Sequence, residues 1–325
     1  MVRGGTALPT AELHIHIEGT LEPEMLVELA ARNGVALPTT DLDELRAKYS
    51  FADLQSFLDL YYDNLPVLRT DQDFYDLTSS YLARAARAGV RRAEIFFDPQ
   101  VHLRNDVPLA AIFDGITGAL GDSEISSDLI LCFLRDLGPE AAMETLRTAL
   151  PFRERFIGVG LDSAEVGFPP APFKEVYELA AAEGLHRVAH AGEEGGPDYV
   201  RQALDVLGVE RIDHGIRAME DPELVARLRD EQVPLTVCPL SNVALRTIDR
   251  LSDHVLPRML DEGLLACVNS DDPAYFGGYV DDNFAALRSE LGLTEQQLAT
   301  LARNSFTAAF ATEEQKAAWK AEIPG

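Results

Sequence analysis

His14-Ile-His16 sets two imidazoles two residues apart within the apolar run Glu12–Glu18. Side chains alternate along a strand, so this pair shares one face and can grip a single cation. Two later runs end in compatible groups, His190-Ala-Gly-Glu193 and Asn269-Ser-Asp271-Asp272-Pro273. His190 and Asp271 would complete a shell of three imidazoles and one carboxylate. Such a shell suits Zn, and imidazole with carboxylate also suits Fe or Mn. Each fragment alone has an ordinary use. An H-x-H pair can be solvated or core, and Asp-Asp-Pro is good turn chemistry.

Acid–base groups stand beside these ligands. Adjacent carboxylates cannot point the same way from one strand, so Asp271 can ligate while Asp272 reaches a bound nitrogen. The small residues of His190-Ala-Gly-Glu193 let a carboxyl approach a ligand closely, and Glu193 can serve as a general acid. Spacing alone leaves Glu194 equally available. His214, ending Arg211-Ile-Asp-His214-Gly, can orient or deprotonate a water, or bond to backbone in the core. His102, His186 and His254 are not at run ends and read as structural or surface residues. His186 precedes its run and belongs to the opposite face.

These groups need a scaffold that brings distant segments together. Eight short apolar runs recur: Glu12–Glu18, Ala93–Asp98, Leu129–Leu134, Phe156–Asp162, Arg187–His190, Arg211–Gly215, Leu235–Cys238 and Ala266–Ser270. Amphipathic stretches separate the later ones, for example Phe173–Glu183, Asp198–Leu207, Asp221–Asp230 and His254–Glu262. Strands alternating with helices imply parallel βαβ units, and eight units favour a closed (β/α)8 barrel of the TIM type. Such barrels carry their sites at the C-terminal strand ends. Four of the seven histidines fall at such ends, which random scatter does not explain. The segment Pro23–Gly89 exceeds one crossover and predicts a helical insertion after the first strand, with helices at Pro23–Asn33, Asp53–Leu65 and Asp71–Ala88, well placed for a lid. Pro23 suits a first turn and Gly34 a C-cap. Thr294–Ala318 reads as a closing helical tail.

A length of 325 residues fits one such domain, 1–325, with no linker-like break. The 54 acidic against 28 basic residues give a formal charge of −26. That charge repels phosphate backbones and anionic lipid, which argues against nucleic-acid and membrane partners. No apolar run is long enough to span a bilayer, and the opening Met1–Thr10 lacks a signal-peptide core. Cys132, Cys238 and Cys267 sit in apolar runs without paired spacing and read as buried thiols. The expected setting is cytoplasmic, and a homo-oligomer is compatible with the sequence.

Taken in order, five motifs resemble the adenosine/adenine deaminase family of the amidohydrolase superfamily over roughly residues 10–310. They are Glu12-Leu-His-Ile-His-Ile-Glu-Gly19, His190-Ala-Gly-Glu193, Arg211-Ile-Asp-His214-Gly, Cys238-Pro-Leu-Ser-Asn242 and Ser270-Asp-Asp-Pro273. Glu94-Ile-Phe-Phe-Asp-Pro-Gln100 and Asn269–Val280 resemble its adenine branch more than its nucleoside branch. The resemblance implies one divalent metal, usually zinc, on His14, His16, His190 and Asp271. It implies Glu193 rather than Glu194 as proton donor, His214 assisting the attacking water, and Asp272 binding the purine. The implied reaction is hydrolytic deamination of adenine to hypoxanthine and ammonia. Glu18 stands where the nucleoside branch has an aspartate near the sugar, which argues against a ribose. Tyr275, Phe276 and Tyr279, or Phe57, Tyr61 and Tyr62 of the insertion, could fill that space, although ordinary core packing explains them as well. The competing expectations are another 6-aminopurine (adenosine, an N6-substituted adenine or a modified nucleoside), a barrel that binds purine without turnover, and a different amidohydrolase. The zinc cytidine-type deaminases are set aside, since no P-C-x-x-C accompanies His16-Ile-Glu18.

Overall fold

Each of the eight apolar runs forms a parallel strand in the computed structural model, which describes residues 8–324. The opening Met1–Ala7, part of the segment expected to lack a signal-peptide core, lies outside the described residues. The strands are β1 (Thr10–His16), β2 (Val90–Phe97), β3 (Ser126–Leu134), β4 (Gly158–Asp162), β5 (His186–Ala191), β6 (Arg211–His214), β7 (Leu235–Val237) and β8 (Ala266–Val268). They pair in chain order. The ring closes at a bridge between Ile15 and Asp271, where His16 N donates to Asp271 O and Asp271 N to His14 O, both at 3.1 Å. This is the expected (β/α)8 barrel.

Burial on both faces explains why these strands read as apolar runs rather than as alternating patterns. Ile95 and Leu131 join the main core, whereas Phe96, Ile130, Cys132 and Val188 form a separate cluster that fills the barrel's interior. All three cysteines are buried and unpaired. Toward the N-terminal strand ends lies a charged layer. Glu94 Oε2 pairs with Arg211 at 2.6 Å, and Glu94 Oε1 lies 3.2 Å from Arg92. Phe310 donates its amide to Glu94 at 2.6 Å and stacks on His186 with ring centroids 3.8 Å apart. His186 thus occupies the face opposite the candidate site, as expected.

The register of β1 slips between Glu12 and Ile15. As a result Glu12 accepts from Tyr81 at 2.7 Å on the outer helix layer, while His14 and His16 pack around Phe96 in the interior. The insertion after β1 contains α1 (Pro23–Asn33), α2 (Leu42–Ala47), α3 (Leu54–Asn64) and α4 (Asp71–Arg87). Gly34 ends α1 at φ 65°, a conformation that suits glycine. The sequence patterning did not anticipate α2, whose six residues are too few to display a helical period. Asp73 anchors the start of α4. Its carboxylate accepts from the amides of Arg69 and Thr70 at 3.0 and 2.9 Å, from Asn33 at 2.8 Å and from Arg32 at 2.9 Å.

The closing tail is two helices, Glu295–Ala308 and Glu313–Ala321, rather than one. The break lets Phe310 turn beneath the barrel and donate to Glu94. That tertiary contact overrides the continuous helical pattern.

Candidate active site

The C-terminal ends of the strands bring together the seven residues expected to bind metal, move protons or hold the purine. β1 delivers His14 and His16, β5 is followed by Glu193 and carries His190, β6 ends at His214, and Asp271 and Asp272 follow β8. All seven are buried. Their donor atoms converge. His16 Nε2 faces His190 Nε2 at 3.2 Å, and Asp271 Oδ1 lies 3.2 Å from His14 Nε2 and 3.5 Å from His16 Nε2. Two neutral imidazole lone pairs aimed at each other repel unless a proton or cation lies between them. His14 Nε2 is also buried without a hydrogen-bond partner. These donors fit one divalent cation.

Hydrogen bonds behind the ring nitrogens fix their tautomers. Thr236 Oγ1 donates to Asp213 Oδ1 at 2.9 Å, so it accepts from His14 Nδ1 at 3.0 Å. That leaves the lone pair of His14 on Nε2, facing the site. Asp213 Oδ2 lies 3.7 Å from His190 Nδ1, and Asp162 Oδ2 lies 3.6 Å from His16 Nδ1. Carboxylates so placed orient metal-binding imidazoles. Burial pushes the pKa of His190 well below its ordinary value and that of His16 to about 4, so both rings are neutral. Ser241 donates to Asp271 Oδ2 at 2.7 Å.

His214 also lies in this cluster. The ligand atoms of His14, His190, His214 and Asp271 fall within 4.8 Å of one another, and His16 groups separately with Asp271 and Asp272. Five candidate donors therefore surround the position, one more than a tetrahedral shell needs. The hydrogen-bond chain distinguishes His214. Leu256 N donates to His254 Nδ1 at 3.0 Å, so His254 Nε2 donates to Asn242 Oδ1 at 3.1 Å. Asn242 then offers its amide to His214 Nδ1 at 3.5 Å. His214 is left with its proton on Nε2, 3.6 Å from Glu193 Oε2 and 3.7 Å from Asp271 Oδ2. Burial lowers its pKa to about 3. His214 and Asp271 both adopt positive φ, 65° and 66°, conformations uncommon outside glycine and concentrated at functional sites.

Burial, with Asp271 nearby, pushes the carboxyls of Glu193 and Asp272 well above their ordinary range. Each keeps a buried oxygen without a partner, Glu193 Oε1 and Asp272 Oδ1. Asp272 packs so tightly on Gly19 that a Cβ there would lie 2.0 Å from Asp272 Oδ1. Glu194 is only half-buried, and it is Glu193 that lines the cavity, together with His16, His190, His214, Asp271 and Asp272.

Several contributors were given no role from the sequence. Glu165 accepts from four successive amides, Gly192 to Gly195, at 2.7, 3.0, 2.8 and 2.8 Å, and so clamps the turn that carries Glu193. Arg135, buried just after β3, donates to the carbonyl of His190 at 2.5 Å. Asp98 and Asp162, buried at the ends of β2 and β4, also face the cavity. Burial raises both, Asp98 well above the ordinary range and Asp162 to about 7.

The insertion covers this cavity through Leu54, Phe57, Leu58, Tyr61 and Tyr62 of α3. Tyr275, Phe276 and Tyr279 do not join the lining. Tyr275 packs behind it against Tyr49 and Phe57 and accepts from Asn64, Phe276 packs on Phe57, and Tyr279 donates to Glu22. The helix Pro273–Phe276 turns these rings back toward the insertion, so they brace α3 from outside. Glu18, expected near a sugar, is also turned away. It holds His102 Nε2 at 2.9 Å and the amide of Asp98 at 3.0 Å. His102 and His254 are accordingly buried structural residues.

Comparison with known proteins agrees with this geometry. The family profile described as Adenosine deaminase matches residues 9–324. An adenine deaminase of Streptomyces coelicolor is 64% identical over 97% of this chain and 95% of its own length. A second, from Hahella chejuensis, is 56% identical over 95% and 94%. The crystal structure of adenine deaminase from Arthrobacter aurescens superposes with a TM-score of 0.96 at 56% identity, covering 97% of this chain and 98% of that one. An amidohydrolase of Burkholderia ambifaria, solved with bound Zn, gives 0.88 at 30% identity over 98% and 90%.

Proposed function

The chain belongs to the adenosine deaminase family, and from that membership together with the site we infer that it deaminates adenine to hypoxanthine and ammonia. The observation that carries this reading is the meeting, in one buried cavity, of converging imidazole and aspartate donors with two buried acids that each keep one oxygen without a partner. The family is that of a metal-dependent hydrolytic deaminase, and the buried cluster provides a single metal site.

Carbon 6 of adenine resists attack because its amino group donates electrons into the ring. His14, His16, His190 and Asp271 would hold the cation, with His214 outside the shell because its Nε2 carries a proton. Zinc is the proposed metal, supported by the ligand set and by the Zn-bound relative. Such an ion supplies the Lewis acidity that brings a water toward deprotonation near neutral pH. Glu193, kept protonated by burial, gives its proton to ring nitrogen 1 as oxygen bonds to carbon 6. His214 orients the attacking water through Nε2–H. Asp272 holds the imidazole edge of the purine. Glu193, now a carboxylate, takes up the proton that the water releases on attack and passes it to the amino group, which leaves as ammonia, and the remaining hydroxyl proton returns to Glu193 as the 6-oxo group forms. Proton donation by Glu193 is worth roughly 10²–10⁴-fold.

The wider setting follows from the same features. We take residues 1–325 as one catalytic domain acting on a small purine. Among the described residues no helix is long and apolar enough to cross a membrane. The unpaired buried thiols support a reducing, cytoplasmic location. A homo-oligomer is compatible with this reading. The functional test is ammonia release by metal-loaded protein from adenine, adenosine, guanine and N6-alkyl adenines. Adenine is expected to be the best substrate, and silence on every 6-aminopurine would defeat the reading.

A further inference from the structure

Asp98 and Asp162 have no part in the chemistry at carbon 6, yet both are buried in the cavity wall. Asp98 Oδ1 and both carboxyl oxygens of Asp162 are buried with no donor beyond what the two acids share with each other and the Cys132 thiol. Buried acceptors so sparsely satisfied are costly. Polar groups of this kind are usually explained by what they bind.

Their position is set by His16. Its Nε2 faces His190 and Asp271 at the cation end, whereas its Nδ1 lies 3.6 Å from Asp162 Oδ2. The ligand atoms of His16, Asp98 and Asp162 fall within 4.8 Å of one another. The two carboxyls therefore stand one imidazole's width beyond the reacting end of the cavity. In a purine whose carbon 6 meets the cation, the ring nitrogen across the bicycle from it is nitrogen 9. In free adenine that nitrogen can carry a hydrogen, and in every nucleoside it carries a sugar.

We propose that Asp98, braced against Asp162, accepts the five-membered-ring N–H of the free base and thereby excludes purines substituted at nitrogen 9. The proposal rests on adenine as substrate and names what selects it. Glu18 does not line the cavity, and its Oε1 instead holds His102 and the Asp98 amide behind the wall. The bond to that amide also fixes the start of the segment from which the Asp98 side chain projects. A site built to hydrogen-bond an N–H rejects an analogue lacking it far more strongly than a pocket that merely fits it, by up to roughly 10⁴–10⁵-fold.

The test compares kcat/KM for adenine and 9-methyladenine, whose small substituent removes the N–H without adding a sugar. The wild type is expected to favour adenine by at least about 10³-fold, and Asp98→Ala to shrink that ratio at least tenfold. Asp98→Asn, nearly isosteric, keeps a carbonyl acceptor and should retain most of the ratio. An unchanged ratio in Asp98→Ala, or an equal loss in both variants, overturns the proposal. If neither variant folds, product inhibition of the wild type decides: hypoxanthine should bind at least about 10²-fold more tightly than 9-methylhypoxanthine, and equal binding overturns the assignment. A second metal ion per chain in the wild type, lost in Asp98→Ala, would also overturn it by giving the carboxyls a different occupant. A wild type that releases no ammonia from adenine defeats the function and this inference together. An active wild type with an unchanged ratio defeats only the role of Asp98.

Discussion

Glu165 Oε2 accepts the backbone amide of Glu193 at 3.0 Å, so one buried acid positions the main chain of another. The same carboxylate holds the amides on either side of Glu193, and a Cβ on Gly195 would lie 2.7 Å from it. Glu165 touches no reacting group in this arrangement. It determines where the proposed proton donor stands.

Glu165→Gln should therefore act on turnover. The neutral amide turns a donor toward amides that need an acceptor, and the turn carrying Glu193 shifts. A misplacement of about 1 Å costs roughly 10²-fold in rate, so kcat for adenine should fall by about that factor with KM changed much less. Steady-state kinetics on the folded variant check this. A kcat equal to wild type would show that the amide cluster serves the fold alone.

Gly19→Ala should disable the site from the other side. The added methyl would sit 2.0 Å from Asp272 Oδ1, closer than any real contact, so Asp272 must move. Metal content should persist while kcat/KM for adenine drops roughly 10²-fold or more. Full activity in a variant with native melting would mean that Asp272 is dispensable for binding.

The metal shell has two graded tests. His16→Ala removes a proposed ligand and should leave the purified protein with much less metal by elemental analysis. Thr236→Val removes only the acceptor behind His14 and should weaken metal binding roughly 10–100-fold against a competing chelator. Undiminished metal content in His16→Ala would shift the shell onto His214.

A stability prediction concerns Asp73, far from the chemistry. Burial opposes its charge, but the amides of Arg69 and Thr70 and the side chain of Asn33 outweigh that and lower its pKa. A carboxyl depressed in the folded state adds stability above its unfolded pKa, and that stability is lost as pH falls through the folded value. Asp73→Asn should cost about 1–3 kcal/mol at pH 7 in denaturant titrations. The deficit should hold from pH 7 to 5 and narrow below about pH 4, near the unfolded pKa of an aspartate. A deficit that widens on acidification would contradict the assignment.

The proposed ligands were legible in sequence because strand geometry converts spacing into direction. His14 and His16 are two apart, and His190, His214 and Asp271 stand at or just beyond the ends of apolar runs. Glu165 was not legible, because it lies in an irregular segment after Ser163, itself at φ 70°, where no periodicity predicts what a carboxyl will meet. Arg135 and Asp98 could have been found by extending the strand-end search to the second and third runs, which have no histidine to draw attention. Asp213 was quoted within a motif without a role, since only the structure shows it behind His14 and His190. The break in the closing helix depended on Phe310 finding Glu94, a contact across more than 200 residues.

The bridge between Ile15 and Asp271 joins the first strand to the residue that follows the last. It has a consequence during biosynthesis, when a chain leaves the ribosome from its N-terminus. His14 and His16 emerge well before Asp271, which follows the eighth strand. A nascent chain stalled before that point therefore has no complete pocket in which to retain an ion. Metal loading should mark the moment when the two ends of the ring meet.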